Sequence, residues 1–201
     1  MFEHANCKHK EFGILNDMIG IDEVGRGCWA GPLLIVAARQ RSVLPGGLKD
    51  SKKLSKKQRE TLILAIQSSC DLGEGWVEPA EIDELGLTKA MELGVARALE
   101  AVGAAVDEDI IMDGTINYCP QQFVKVQCIA RADDTHSIVS AASIYAKVTR
   151  DARMVELAKT HPKYGFDAHV GYGTKAHSTA LKQYGVCALH RMSYKPIQAL
   201  L

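Results

Sequence analysis

The sequence predicts an α/β fold: a central sheet flanked by helices, with a helical appendage at its C-terminal end. Three observations carry this. Short apolar runs alternate with longer segments of helical periodicity up to about residue 160. Beyond His161-Pro162 the apolar runs stop, and the chain turns glycine-rich, basic and then helical. With 201 residues, 47% hydrophobic and 24% charged, the chain has the makings of one globular domain with its own core.

Residues 1–17 precede the first apolar run and are read as a partly disordered extension. Residues 18–22 and 32–38 are predicted strands joined by a glycine-bearing turn as a hairpin, with Pro32 at a strand start, where its missing N–H is tolerated. Ser55-Lys56-Lys57-Gln58 forms a capping box and opens a helix to about Ser69, with Leu62, Ile63 and Ile66 on one face. Residues 75–77 form a short strand. Pro79 suits the first turn of a brief acidic helix to about Glu84, and Thr88 can cap a longer one to about Val102. Strands at 109–113 and 123–129 follow, then a long helix at 137–160 and another at 174–184. The boundaries 18–160 and 161–201 separate the sheet-bearing domain from the appendage. There is no internal repeat and no low-complexity segment.

The longest apolar run, residues 32–38, is too short to cross a bilayer, and the N-terminus lacks a signal-peptide core. The expectation is therefore a cytoplasmic protein without membrane contact. The cysteines at 7, 28, 70, 119, 128 and 187 include no Cys-x-x-Cys pair and are read as reduced thiols. Cys7 with His4 and His9 matches no zinc spacing. A net charge of zero conceals a partition. Residues 49–59 hold six bases against one acid, residues 71–113 twelve acids against two bases, and residues 145–195 nine bases against three acids. Such basic clusters are the footprint of a polyanionic partner or, equally, of solvated helix faces.

The chemistry concentrates where apolar runs end. In Ile19-Gly20-Ile21-Asp22-Glu23-Val24-Gly25-Arg26-Gly27, a strand delivers two carboxylates to a turn whose glycines permit close backbone approach and whose arginine offers a phosphate-matching fork. Asp113, followed by Gly114, repeats the geometry of Asp22, and strand ends are where α/β sheets place ligands. Asp133, in Arg131-Ala132-Asp133-Asp134, lies just before the long helix. Taken singly, Asp113 and Asp133 read as turn or cap residues. Together with Asp22 and Glu23 they would form an all-oxygen set suited to Mg²⁺ or Mn²⁺ rather than zinc. Neighbouring strand residues point to opposite faces, so Asp22 and Glu23 can share a site only if the strand ends by Glu23.

The segment from Asp22 to Gly27 followed by Ala30-Gly31-Pro32 resembles the signature of ribonuclease HII, the type 2 ribonuclease H family. Four further blocks agree: Asp50-Ser51-Lys52-Lys53-Leu54-Ser55, Asp113-Gly114, Ala141-Ala142-Ser143-Ile144-Tyr145-Ala146-Lys147-Val148-Thr149-Arg150-Asp151, and Tyr164-Gly165-Phe166 through His169, Gly171-Tyr172-Gly173-Thr174 and His177. His190-Arg191 follows them. The resemblance runs from residue 19 to about 194 and selects Asp133 over Asp134. It departs at Cys28 and Trp29, at Tyr145, and at Val170, where lysine is usual.

The resemblance implies a ribonuclease H-like mixed sheet and catalysis by residues 18–160, with 161–201 helping to bind substrate. The implied reaction is endonucleolytic cleavage of RNA in RNA·DNA hybrids and 5′ of ribonucleotides embedded in duplex DNA, serving primer removal and ribonucleotide excision repair. Asp22, Glu23, Asp113 and Asp133 would hold two Mg²⁺ or Mn²⁺ ions. Backbone groups of Gly25, Arg26 and Gly27 would meet the 2′-hydroxyl, and Tyr172 would pack on the next sugar. Lys52, Lys53, Ser143 and Lys147 are candidate phosphate contacts. A monomer is expected, and the tail Gln198-Ala199-Leu200-Leu201 is read as frayed in preference to a peptide for a replication clamp. The alternatives are a resolvase- or transposase-type nuclease, which the Gly-Arg-Gly and Gly-Tyr-Gly blocks oppose, and a non-catalytic nucleic-acid binding domain, which has no use for four converging acids.

Overall fold

The computed structural model describes residues 18–48 and 54–200, so the predicted extension 1–17 and the candidates Lys52 and Lys53 lie outside the described residues. In chain order the elements are β1 (Met18–Val24), β2 (Leu33–Gln40), α1 (Lys56–Ser69), β3 (Cys70–Val77), α2 (Pro79–Ala101), β4 (Asp109–Asp113), β5 (Val126–Ile129), α3 (Ala132–Thr135), α4 (Ser137–Thr160), α5 (Phe166–His169), α6 (Lys175–Tyr184) and α7 (Lys195–Gln198). The strands form one mixed sheet in the order β3-β2-β1-β4-β5, antiparallel from β3 to β1 and parallel from β1 to β5.

The period-2 alternation of β1 sorts its side chains between two cores. Ile19 and Ile21 pack with Val95, Ala98 and Leu99 of α2, while Val24 packs on the side of Ile138, Val139 and Ala142 of α4. Each such fully buried aliphatic contributes about 1.5–3 kcal/mol. Gly20 lets α4 lie directly on the central strand, because a Cβ there would meet the Ile138 and Val139 backbone. A third, smaller core joins Ala30 and Met154 to Tyr164, Phe166 and Ala180, so the C-terminal helices share buried surface with α4.

Helix α2 is two helical pieces across a kink at Gly86 (φ 74°, ψ 158°), which matches the separate starts expected at Pro79 and Thr88. Three boundaries differ from expectation. Strand β3 starts at Cys70 instead of residue 75, since Gly73 and Gly75 weaken the strand signal yet are what allow α2 to approach. Strand β5 is confined to Val126–Ile129, with Phe123 buried from the preceding loop. Strand β1 does not end at Asp22 but continues to Val24, with Glu23 paired to Ile35. Among the described residues no helix is long and apolar enough to cross a membrane. Helix α7 runs to Gln198 with Ile197 fully buried, while Gln198, Ala199 and Leu200 are exposed and Leu201 lies outside the described residues.

Candidate active site

The register that pairs Ile21 with Met112 brings the ends of β1 and β4 together, so Asp22 and Asp113 sit at adjacent strand ends. Asp22 is 7% exposed and faces α4. Its Oδ1 accepts the Glu23 N–H at 2.7 Å, and the Ser143 hydroxyl donates to it. Burial pushes its carboxyl well above the usual carboxylate range; the charges of Glu23 and Asp113 push the same way, and the Ser143 hydrogen bond opposes them. Ser143, expected beside a phosphate, is thus engaged with an acid.

Because β1 runs on through Glu23, that residue lies on the opposite pleat, where Arg26 approaches it at 3.6 Å. Oδ1 of Asp113 accepts the Ala132 N–H at 2.8 Å, tying β4 to the start of α3. Asp133, on that single turn, is buried, and its carbonyl accepts from Ser140 Oγ at 2.6 Å. Asp22, Asp113 and Asp133 therefore come from β1, β4 and α3 on the α4 side of the sheet, with Glu23 across the pleat. Among the described residues, no three His, Cys, Asp or Glu side chains converge into a ready metal cage.

Residues 25–32 are held by two arginines that sequence reasoning did not assign to the site. Arg150, fully buried on α4, donates to the carbonyls of Pro32 (2.8 Å), Val170 (2.9 Å) and Ala30 (3.3 Å). Gly25 (φ 91°) is needed because a Cβ there would collide with this guanidinium. Arg191, also fully buried, donates to Gly31 O at 2.8 Å through Nη2, and to Arg26 O at 3.0 Å and Tyr194 Oη at 2.9 Å through Nη1. Arg150 lies within the resembling block 141–151 and shares a helix face with Ser143, Lys147 and Met154, but was given no role there. Arg191 is marked by the resembling pair His190-Arg191, again without a role.

The same clamp carries Tyr172. The N–H groups of Trp29 and Ala30 both donate to Gly171 O, at 2.9 and 3.3 Å, and a Cβ on Gly173 would collide with the Trp29 indole. The Tyr172 ring is 40% exposed, with Lys147 Nζ 5.7 Å from its centroid and the Cys28 thiol in hydrogen-bonding reach of its hydroxyl. Lys147 is itself bonded to Asp151 at 2.9 Å. Gly25, Arg26, Gly27, Lys147 and Tyr172 thus border one region, with Asp22 just before it in β1.

Comparison with known proteins agrees with this picture. A family model described as ribonuclease HII matches residues 19–197. The chain is 42% identical over 187 residues to a protein named ribonuclease HII from Polynucleobacter asymbioticus, covering 90% of this chain and 94% of the relative. It is 40% identical over 188 residues to the one from Jannaschia sp., covering 90% and 91%. Among solved structures, ribonuclease H2 from Pyrococcus horikoshii superposes with a TM-score of 0.70 at 27% identity, covering 91% of this chain and 96% of that one. A chain of the PCNA:RNase HII complex from Archaeoglobus fulgidus does so with a TM-score of 0.73 at 26% identity, covering 89% and 95%.

Proposed function

The chain belongs to the ribonuclease HII family, and from that premise we propose that Asp22, Glu23, Asp113 and Asp133 are its catalytic carboxylates. It is a metal-dependent endonuclease of the ribonuclease H class. The substrates are RNA·DNA hybrids and duplex DNA carrying single ribonucleotides, cut on the 5′ side of the ribonucleotide to leave a 3′-hydroxyl and a 5′-phosphate. Primer removal and ribonucleotide excision repair are the processes such cleavage serves.

The observation that carries this reading is the crowding at Asp22, a buried carboxyl disfavoured as an anion by burial and by Glu23 and Asp113. Acids pressed together beside a phosphate-binding surface repel the substrate unless cations neutralise them. The donor set, all carboxylate oxygen with a hydroxyl at hand, fits Mg²⁺ or Mn²⁺. Two such ions, when bound, supply nucleophile activation and charge neutralisation at the scissile phosphate. Asp22, Glu23, Asp113 and Asp133 would hold the ions, with Asp22 and Asp113 at adjacent strand ends and Asp133 on α3. Ser143 holds the Asp22 carboxylate in its rotamer.

The backbone of Gly25, Arg26 and Gly27 contacts the 2′-hydroxyl, the one chemical handle of a lone ribonucleotide in DNA. Tyr172 stacks on the following sugar, where an extra hydroxyl would not fit. Lys147, and Lys52 and Lys53 on sequence grounds alone, contact phosphates, and residues 161–201 form the substrate-binding segment. The protein acts as a cytoplasmic monomer. A replication clamp is a second class of partner, since the Archaeoglobus relative forms a complex with PCNA. It would meet the partly exposed Leu200 rather than the buried Ile197.

The test is cleavage of a duplex bearing one ribonucleotide, with and without Mg²⁺ or Mn²⁺. A single cut 5′ of the ribonucleotide that requires the ion is expected. Preference for an all-DNA junction, or binding without cleavage in every divalent ion, would overturn the reading.

A further inference from the structure

Three histidines from separate segments meet beneath the turn that carries Tyr172: His169 on α5, His177 on α6, and His190 after it. They are 8%, 0% and 1% exposed. Their hydrogen bonds fix where the protons sit. The N–H groups of Gly171 and Cys187 can only donate, so Nδ1 of His169 (3.2 Å) is bare, as is Nδ1 of His190 when it takes the Cys187 N–H at 2.9 Å in preference to the Cys187 carbonyl at 3.2 Å. The carbonyls of Tyr164 and Tyr172 can only accept, so His169 Nε2 (2.7 Å) and His177 Nδ1 (3.0 Å) carry protons. A neutral His177 then has a bare Nε2, and only an Nε2–H on His190 can bridge the 3.1 Å between the rings.

The result is a directed chain: Cys187 N–H to His190, His190 to His177, His177 to the carbonyl of Tyr172. It ends on the backbone of the residue read above as the sugar contact. The His177 ring also lies 5.6 Å from the Trp29 indole and 4.4 Å from the stacked His169 ring. His177 therefore touches both substrate-facing turns, the one after β1 through Trp29 and the one before α6 through Tyr172. An apolar residue could fill this space. Holding that carbonyl as well takes a donor, and a neutral imidazole donates there while accepting from His190 at its other nitrogen.

We propose that His177, oriented by His190, is a positioning residue that sets Tyr172 against the turn 25–30 and so governs discrimination between a lone ribonucleotide and continuous RNA. This rests on the Tyr172 reading above, and the experiment separates the two. His190→Leu removes the donor to His177, whereas His190→Gln keeps it, because the glutamine amide can occupy the Nε2 position.

Two readouts are taken on the full chain. In a Trp76→Phe background Trp29 is the one remaining tryptophan. His190→Leu is expected to red-shift its emission, and His190→Gln to leave it unchanged. In cleavage, His190→Leu is expected to lose about tenfold more kcat on the single-ribonucleotide duplex than on the hybrid, the effect of one neutral hydrogen bond, with Gln restoring the ratio. An unshifted emission in the Leu variant, equal losses on both substrates, or no difference between Gln and Leu would each overturn the proposal. If the Leu variant does not fold, His177→Val is read against His177→Asn in the same way. Tyr172→Ala is run in parallel. Should it lose equally on both substrates, the Tyr172 reading falls, while Trp29 emission alone still decides whether the histidine pair holds the turn.

Discussion

Replacing Arg150 with methionine removes a fully buried cation and its bonds to the carbonyls of Pro32, Val170 and Ala30, at 2.8, 2.9 and 3.3 Å. Each carbonyl left unsatisfied in the interior costs about 1–3 kcal/mol. Methionine fills much of the volume and no longer has to be stripped of ionic hydration, which offsets part of that cost. The expected net loss is about 3–5 kcal/mol, comparable to breaking other buried charged contacts. Against about 5–15 kcal/mol for a typical domain, the protein stays folded at 25 °C. Urea unfolding followed by circular dichroism measures the change, with unchanged slope showing that the denatured state is the same. Arg150→Lys, one point donor in place of a fork, should recover roughly a third of the loss. Cleavage should fall in Arg150→Met even where the protein is fully folded, because turns 25–32 and 170–173 lose their common anchor. Stability within about 1 kcal/mol of wild type would show that these carbonyls find other partners, and would refute the clamp.

Asp22→Asn should abolish cleavage by at least about 100-fold, beyond what outer-sphere partners of a metal cost, and should raise the melting temperature of metal-free protein, since it removes a buried acid crowded by Glu23 and Asp113. A lower melting temperature without metal would contradict the crowding. His177 is pushed down to about 4, chiefly by burial, so the folded state resists its protonation. Its contribution to stability is intact above the unfolded value near 6.5, is lost as pH falls from there toward about 4, and amounts to about 3 kcal/mol; urea midpoints across that window test it, and a His177→Asn variant should show a flatter profile. Gly173→Ala should disturb the Trp29 indole and weaken single-ribonucleotide cleavage with little change in melting temperature, and a fully active variant would mean that the turn shifts freely. Ca²⁺, with bonds of about 2.3–2.6 Å against roughly 2.0–2.1 Å for Mg²⁺, should support binding but poor turnover, which gel shift and cleavage on one substrate distinguish.

Most of the architecture was legible because its signals are local. The capping box of α1, the proline and threonine starts within α2, and the apolar run closing on Asp113 all lie within a few residues of the feature they define. What escaped depends on distant partners. Gly73 and Gly75 weaken a strand signal until α2 is seen lying on them. Glu23 was expected to leave the strand, but the ladder to Ile35 holds it there and puts its side chain across the sheet from Asp22. The carboxylates and the Gly-Arg-Gly turn were readable as a motif. The arginines that fix the turn stood in resembling blocks, but their role was not legible, since Arg150 and Arg191 reach turn partners 118 to 165 residues away in the chain.

The Arg191 contacts also bear on the order in which the turn after β1 can be completed during folding. Its guanidinium closes on Gly31 and Arg26, and Ala30 bridges to His190, so the turn is finished by residues 160 to 165 positions later in the chain. A nascent chain that has made β1 to β5 already holds Asp22 and Asp113 at their strand ends, yet its turn 25–32 has no lock. Closing contacts so far apart in sequence is slow and comes late in folding. A chain stalled or clipped before Arg191 would keep Asp22 and Asp113 at their strand ends and leave the turn 25–32 without its lock.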